Sequence, residues 1–372
     1  MRTVTYDAVI IGGGFAGLAC AQSLSRRGLR VMVMEKKPWP GTKPHTTGIV
    51  VKELAESWNL PSRLLKKITG VRLYSPGMDF LDLSSPGYFF LATDTPALLR
   101  WHAEQAIQSG ATIRYHSEYR ASTRRGGFHQ FDTNDIRCRF LVGSDGSRSR
   151  VARQYALGRN RNFLIGIEAD FPSIPGLSES RLHVFLDNDI ARGYIAWMVP
   201  GVQKTQVGLA TRPPALPDLD RFLNKLSRHW RVDRSSVLSV RSGLVPCGGL
   251  VHPYYGQDVM LLGDAAGMVS PLTAGGIHPA VHLGSVTGEL IAGYLLDGGE
   301  DPGRALRPAL PRYAVKRGMR FLYDHLPLSN RQWDALLRAP WFRVIAQTIF
   351  FHHRGLFSAA AWKDIIRLAL SS

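Results

Sequence analysis

Cysteine is scarce in this chain: Cys20, Cys138 and Cys247 are the only three in 372 residues, far apart and in no CxxC pair. An odd, dispersed set excludes a disulfide scaffold and a thiolate zinc site, and it fits a reducing compartment. Long apolar runs are missing as well. No window approaches the ~18 continuous apolar residues of a membrane-spanning helix. The most apolar late stretch, from Trp341 to Trp362, is broken by Arg343, Gln347, His352, His353 and Arg354. The opening residues, Met1 to Asp7, run directly into a short apolar strand without the sections of a leader peptide. A cytoplasmic protein is expected, whose one candidate membrane contact is peripheral, at the inner face. His352-His353 has no further ligand at metal spacing, so no metal site is expected. Internal repeats and low-complexity tracts are absent. With 45% hydrophobic and 20% charged residues the composition is that of a globular chain, and its length suggests about two domains.

Acidic residues are in deficit: 29 Asp+Glu face 46 Lys+Arg, a formal charge of +17. Such an excess calls for an anionic partner, whether nucleic acid, phospholipid or phosphorylated substrate. From Asp301 onward there are twelve Lys+Arg against four Asp+Glu, interleaved with large apolar residues such as Trp333, Leu337, Trp341, Phe342 and Phe350. That mixture favours an anionic membrane surface. No nucleic-acid-binding module accompanies the charge, and nucleic acid is not expected as a partner. A helical cap over the rest of the protein is the plainer use of the same residues.

What is present is glycine in a particular pattern. Ala8-Val9-Ile10-Ile11 reads as a buried strand, Gly12-Gly13-Gly14-Phe15-Ala16-Gly17 satisfies GxGxxG, and Leu18 to Arg27 reads as a helix stopped by Gly28. A second strand, Val31 to Met34, ends on Glu35. Gly12 permits the tight turn, Gly14 lets the backbone approach a pyrophosphate, and Gly17 lets helix and strand pack closely. The helix N-terminus offers N–H groups and a positive dipole end to phosphates. Glu35 stands where a carboxylate can accept both ribose hydroxyls, beside Lys36. Dinucleotide binding is expected, and the acid favours FAD or NAD over NADP.

Two further turns repeat the strand–turn–helix design. Phe140-Leu141-Val142-Gly143-Ser144-Asp145-Gly146 is one; Leu261-Leu262-Gly263-Asp264-Ala265-Ala266-Gly267, followed by Pro271-Leu272-Thr273-Ala274-Gly275-Gly276-Ile277, is the other. Each aspartate by itself reads equally well as a helix N-cap; beside a GxGxxG it reads better as a ligand for ribityl hydroxyls. A helix starting near Gly275-Gly276-Ile277 can aim N–H groups at flavin oxygens.

These three motifs, in this order, resemble the FAD-dependent oxidoreductases of the para-hydroxybenzoate hydroxylase fold, and are most like the geranylgeranyl reductase family. That resemblance implies an α/β fold: a Rossmann-like FAD-binding domain from residues 1–70, 95–155 and 255–300, an inserted antiparallel-sheet substrate domain from 71–94 and 160–250, and a C-terminal helical segment, 301–372. It implies that Gly12, Gly14, Phe15, Ala16, Gly17, Glu35, Lys36, Asp145, Gly146, Gly263, Asp264, Pro271, Gly275, Gly276 and Ile277 bind FAD. Its activity would be hydride transfer from reduced flavin N5 to a carbon–carbon double bond of a hydrophobic, prenyl- or lipid-like substrate. NAD(P)H or a reduced ferredoxin-type protein would supply the electrons. A flavin monooxygenase acting on an aromatic or polyketide substrate, and an electron-transfer or non-catalytic flavoprotein, are the alternatives. Three features depart from the reductases. Thr46-Thr47-Gly48 stands where they commonly carry Cys-Gly. Their YxWxFP motif is reduced to Trp197 and Pro200, which with Thr47 are the candidate substrate-pocket residues. The helix near Thr95 lacks the arginine that the reductases often carry there. His45 and His278 are candidate proton donors, although a loop histidine is more often structural.

Overall fold

A computed structural model of the chain describes residues 3–351 except Asn134 and Pro327; His352 and His353 lie outside the described residues. The chain divides into two compact units. The first comprises 1–44, 95–162 and 246–313, and the second 45–94, 163–245 and 314 onward.

The first unit is built on an eight-stranded sheet. Its central strand, Val4–Ile11, lies parallel to Val31–Met34 on one side and to Ile136–Gly143 on the other, and the latter is parallel to Val259–Leu261. Val9, Ile10, Leu141, Val142, Met260 and Leu261 are fully buried, as strands flanked by helices on a parallel sheet must be. Helix Phe15–Arg26 and the long helix Ile277–Asp297 pack together. A Cβ at Gly284 would come within 2.5 Å of the Ala16 carbonyl oxygen, and one at Gly288 within 2.7 Å of that of Cys20. Small residues thus let the two backbones touch. Ala16 opposite Gly284 and Cys20 opposite Gly288 means the helices run parallel. The long one begins six residues earlier, which is about 9 Å at 1.5 Å per residue.

The second unit is a seven-stranded, mostly antiparallel sheet in the order 239–246, 163–171, 205–211, 196–200, 181–185, 70–74, 80–84. Alternation along its strands gives two faces. One carries Phe171, Phe185, Met198, Val207 and Leu209 against helix Leu219–Leu226. The other carries Leu73, Leu81, Val184 and Val199, which cluster with Leu337, Ala346 and Phe351 of helices Asn330–Arg338 and Pro340–Phe351.

The α/β class, with a Rossmann-like nucleotide domain, an inserted antiparallel sheet and a helical C-terminal segment, is the architecture seen. The boundaries differ from those expected. Residues 45–70 leave the nucleotide unit after Pro44, because Ile49–Val51 and Leu65–Ile68 pair with Phe90–Thr93 in a three-stranded sheet of the second unit. The C-terminal helices do not form a separate segment. Arg343 Nη1 and Gln347 Nε2 donate to the Asp82 and Ser84 carbonyls, 3.2 and 2.9 Å, covering the edge strand Phe80–Ser84 of the second unit. No helix among the described residues is long and apolar enough to cross a membrane.

Candidate FAD site and candidate substrate wall

The three glycine-rich turns meet at the carboxyl end of the parallel strands in the first unit. Gly12 has φ +105°, and a Cβ there would meet the Ser144 carbonyl carbon at 2.9 Å. Ser144 Oγ donates to the carbonyls of Ile11 and Gly12, 2.9 Å each, and joins the first turn to the second. A Cβ on Gly263 would stand 3.0 Å from that of Ala16, and the Leu262 N–H donates to the Gly143 carbonyl at 2.9 Å, which brings in the third. Gly17 is packed against the Gly12 carbonyl and Ser144 Oγ. Gly14 differs from its neighbours: nothing lies within 4 Å of where its Cβ would be. No side-chain hydrogen bond caps the helix that it starts. The loop is closed below and open above, a shape that admits an anionic group to the helix N-terminus.

Glu35 is buried at the end of the second strand. Its Oε2 accepts the Gly13 N–H at 2.7 Å and its Oε1 the Lys37 N–H at 2.9 Å. These bonds fix the carboxylate against the loop, and each oxygen keeps a second lone pair for a ribose hydroxyl. Lys36 is exposed, and it is the amide of Lys37 that joins the acid. Asp145 turns one oxygen back to its own helix: Oδ2 accepts from Arg150 N–H at 2.6 Å and Val151 N–H at 3.3 Å. Its other oxygen is buried without a partner among the described residues. Asp145 is therefore a helix-capping group with one acceptor to spare. Gly146 follows with φ +85° and open space beside it.

Asp264 is exposed by surface area yet surrounded by protein, and that burial pushes its pKa up to about 6. Gly276, the N-cap of the long helix, has a Cβ position 3.7 Å from Asp264 Oδ1. Pro271 and Ile277 are buried, whereas Gly275 is exposed at the turn. Asn160, which no motif marked, donates to the Asp264 carbonyl at 2.8 Å and to that of Ser147 at 3.1 Å. His278 is exposed on the first turn of the long helix, its ring 6.0 Å from that of His282.

In the second unit the decisive residue is one that sequence reasoning passed over. Glu168, Gly208, Trp197, Val184, Leu73 and Leu81 stand in one cross-strand row. A Cβ on Gly208 would meet Trp197 Cζ2 at 2.7 Å, so the missing side chain is what lets the indole lie across that strand. Its Nε1–H then reaches Glu168 Oε2 at 2.6 Å, and Thr47 Oγ1 donates to the same oxygen at 2.6 Å. Two candidate pocket residues thus converge on one carboxylate. Arg241 bridges Glu168 Oε1 and Asp170 Oδ1, the latter at 2.9 Å, and Lys204 adds a 2.8 Å bond to Asp170 Oδ2. Glu168 and Asp170 are both 5% exposed. The two cations outweigh burial at Asp170 and hold its carboxyl below the usual range. Pro200 does not join Trp197. Three positions apart on a strand means opposite faces, and Pro200 lies on the face of Ala196 and Met198. His45 has its Nδ1 2.8 Å from the Ser242 carbonyl, to which only Nδ1–H can donate. Among the described residues no group of three His, Cys, Asp or Glu is placed to hold a metal.

A glycine loop open above a bare helix N-terminus, a tethered strand-end acid and two further Gly–Asp turns define a dinucleotide-binding oxidoreductase of the flavoprotein kind. The comparisons give the class. The FAD dependent oxidoreductase family matches residues 7–95. Digeranylgeranylglycerophospholipid reductase 2 of Methanopyrus kandleri is 24% identical over 368 residues, with 90% of either chain covered. A geranylgeranyl bacteriochlorophyll reductase-like protein of Thermoplasma acidophilum superposes with a TM-score of 0.81 at 18% identity, over 98% of this chain and 100% of that one. Aklavinone-11 hydroxylase in complex with FAD and aklavinone gives 0.68 at 16%, over 89% and 72%. The chain is an FAD-dependent oxidoreductase, similar to the geranylgeranyl reductases.

Proposed function

We propose that this protein reduces carbon–carbon double bonds of a prenyl-lipid-like substrate. The observation that carries the reading is Trp197, the half-buried indole of that cross-strand row, pinned at its edge by Glu168. Such a wall binds hydrocarbon by area and offers it no hydrogen-bonding competitor. The name of the Methanopyrus kandleri relative supports a prenyl lipid. FAD supplies hydride chemistry when bound. The residues here that would hold it are the N–H groups following Gly14, the carboxylate of Glu35, the spare oxygen of Asp145, Asp264, and the helix N-terminus at Gly276-Ile277. The chain's own work is to grip the substrate, orient it and keep water from it. Helix Ala314–His325 and the residue after it support a contact with an anionic membrane surface: Phe321, Leu322 and, just past the helix, Leu326 are 59, 56 and 68% exposed, and Arg317 is exposed one turn before Phe321.

In an anaerobic assay with an unsaturated prenyl phospholipid in anionic vesicles, the expected result is the saturated lipid, with the protein sedimenting with the vesicles. A product that carries oxygen and forms only in air would overturn the reading in favour of hydroxylation.

Asp264 makes the flavin affinity pH-dependent. Its pKa is raised from 3.8 to about 6, so folding of the ligand-free protein favours the protonated carboxyl. That contribution is full below about pH 4 and gone above about pH 6. A ribityl hydroxyl donating to the carboxylate favours the ionised form, so flavin binding must release a proton. Flavin fluorescence titrations are expected to show binding tightening as pH rises through 6, and Asp264→Asn is expected to flatten the profile. A wild-type profile flat from pH 5 to 7 would remove Asp264 from the site.

A further inference from the structure

A groove of about 470 Å³ opens in the second unit. Lys67 and Arg181 line it together with four hydroxyl residues, Thr69, Ser84, Ser85 and Ser180; no carboxylate among the described residues does. Strand register fixes where it lies. Arg181, Gly70 and Ser84 stand opposite one another on neighbouring strands, three positions along from Val184, Leu73 and Leu81. Three positions are about 10 Å, and an odd step turns side chains to the other face of the sheet. Trp197 pairs with Val184, so Arg181 and Ser84 issue from the face opposite the indole.

Gly70 is what admits the arginine. A Cβ there would stand 2.8 Å from Arg181 Nη1, so the guanidinium lies across the bare strand. The acids nearby are already engaged. Asp82 accepts from Arg72 Nε and Nη2 at 2.7 and 2.8 Å, and meets Arg181 Nη2 only at 3.5 Å. Glu179 pairs with Lys66 at 2.9 Å, and Glu53 accepts from the Tyr88 hydroxyl at 3.0 Å. Lys67 has no carboxylate partner among the described residues; its Nζ sits 4.7 Å from the centre of the Phe89 ring. Arg72, Arg181 and Lys67 therefore face the single carboxylate of Asp82.

Charge and donor count together name the ligand's chemistry. Two cations and four hydroxyls offer more donors than the two oxygens of a carboxylate can use, and a phosphate supplies the further acceptors. A guanidinium meets phosphate with two parallel N–H groups, and an ammonium meets it as a point charge. The volume exceeds that of a bare phosphate and leaves room for the organic part of an ester. A nucleobase finds no free ring to stack on. Phe89 carries Lys67, and Tyr88 packs edge-on against Phe90 and Phe351 at 5.2 and 5.5 Å.

We propose that this groove binds a phosphate ester that carries no base, either free in solution or as the headgroup of an anionic lipid. The site is separate from the candidate flavin turns and from Trp197, and it does not depend on the prenyl reading. Purified full-length protein, with the flavin it retains, is titrated with glycerol 3-phosphate in an isothermal calorimeter; glycerate is the carboxylate control. Saturable binding with a Kd of ~1 mM or tighter is expected for the phosphate, and binding at least tenfold weaker for glycerate. Lys67→Glu and Arg181→Gln are each expected to weaken the phosphate at least tenfold, with flavin absorbance unchanged. Should Arg181→Gln fail to fold, the exposed change Lys67→Glu decides. Sedimentation with phosphatidylcholine vesicles containing phosphatidic acid, compared between wild type and Lys67→Glu, separates the two sources. A soluble ligand shows as ester binding with equal sedimentation. A headgroup shows as weaker sedimentation of the variant, with added glycerol 3-phosphate abolishing the difference. Equal sedimentation without ester binding overturns the proposal, and so does a difference that the ester cannot compete, which is bare charge attraction. Glycerate binding as tightly as the phosphate, or ester binding that Lys67→Glu leaves unchanged, overturns it as well.

Discussion

Gly17→Ala is expected to purify without yellow colour and to melt several degrees below the wild-type apoprotein, whereas Gly14→Ala folds normally and loses only its grip on the flavin. The two substitutions add the same methyl group three residues apart. At Gly17 it would press on the backbone carbonyl of Gly12 and on Ser144 Oγ at 2.5 Å, with Ile10 Cγ2 at 3.1 Å closing the third side. A strand, a helix and the second turn all converge there, and the nearest contact is the Gly12 backbone carbonyl, which cannot swing away. Overpacking of this kind costs about 1–3 kcal/mol or more, and relief requires the helix to move off the sheet. That movement carries the N–H groups away from the loop, and FAD binding is lost with it. At Gly14 the methyl meets no protein atom within 4 Å, so the fold is indifferent; the volume it takes is the ligand's. A penalty of about 1.4–3 kcal/mol there raises the FAD Kd roughly 10- to 100-fold. The melting comparison is made on flavin-free protein, because bound ligand raises the melting point by mass action. Equal flavin loss in both variants with unchanged apoprotein melting would show that Gly17 is not a packing residue.

How much of this was legible in the sequence follows from how local the signals are. Strand, turn, helix and acid within residues 8–35 are set by contacts among near neighbours, and Val31–Met34 is found where it is read. The domain boundaries are not local. Whether Ile49–Val51 joins one sheet or another depends on a partner, Phe90–Thr93, about forty residues on. Asp145 has a double character that sequence cannot divide, since capping and ligand binding both call for an aspartate after a tight turn. Glu168 left a faint mark: two acids at alternate positions of Phe163–Phe171 must share a face. What they meet there comes from residues 47, 197, 204 and 241, and no spacing rule connects those numbers.

Glu168→Ala is the variant expected to damage the second unit most, by about 3–5 kcal/mol, because it leaves the Arg241 guanidinium buried with only Asp170 to oppose it. Arg241 Nε has no partner among the described residues, so the arginine has no spare bond with which to compensate. Glu168→Gln keeps the volume and an acceptor for Thr47 and Trp197, and is expected to cost less. The informative companion is Trp197→Phe, which removes the Nε1–H bond to a charged acceptor, worth about 1.5–3 kcal/mol, while leaving a ring over Gly208. If the indole is held by Glu168, the two losses overlap, and the double variant is less destabilised than the sum of the singles by 1 kcal/mol or more in urea unfolding. Additivity within ~0.5 kcal/mol would mean that Trp197 is held by packing alone. The distinction reaches the proposed function. A ring that is merely packed turns over when its neighbours loosen, whereas an indole pinned at Nε1 presents one edge and one face to the substrate. In the pinned case Trp197→Phe raises the KM for the prenyl lipid with little change in flavin content whereas Glu168→Gln, which keeps the acceptor, does not, and the wall's geometry traces to a residue that need not touch the substrate.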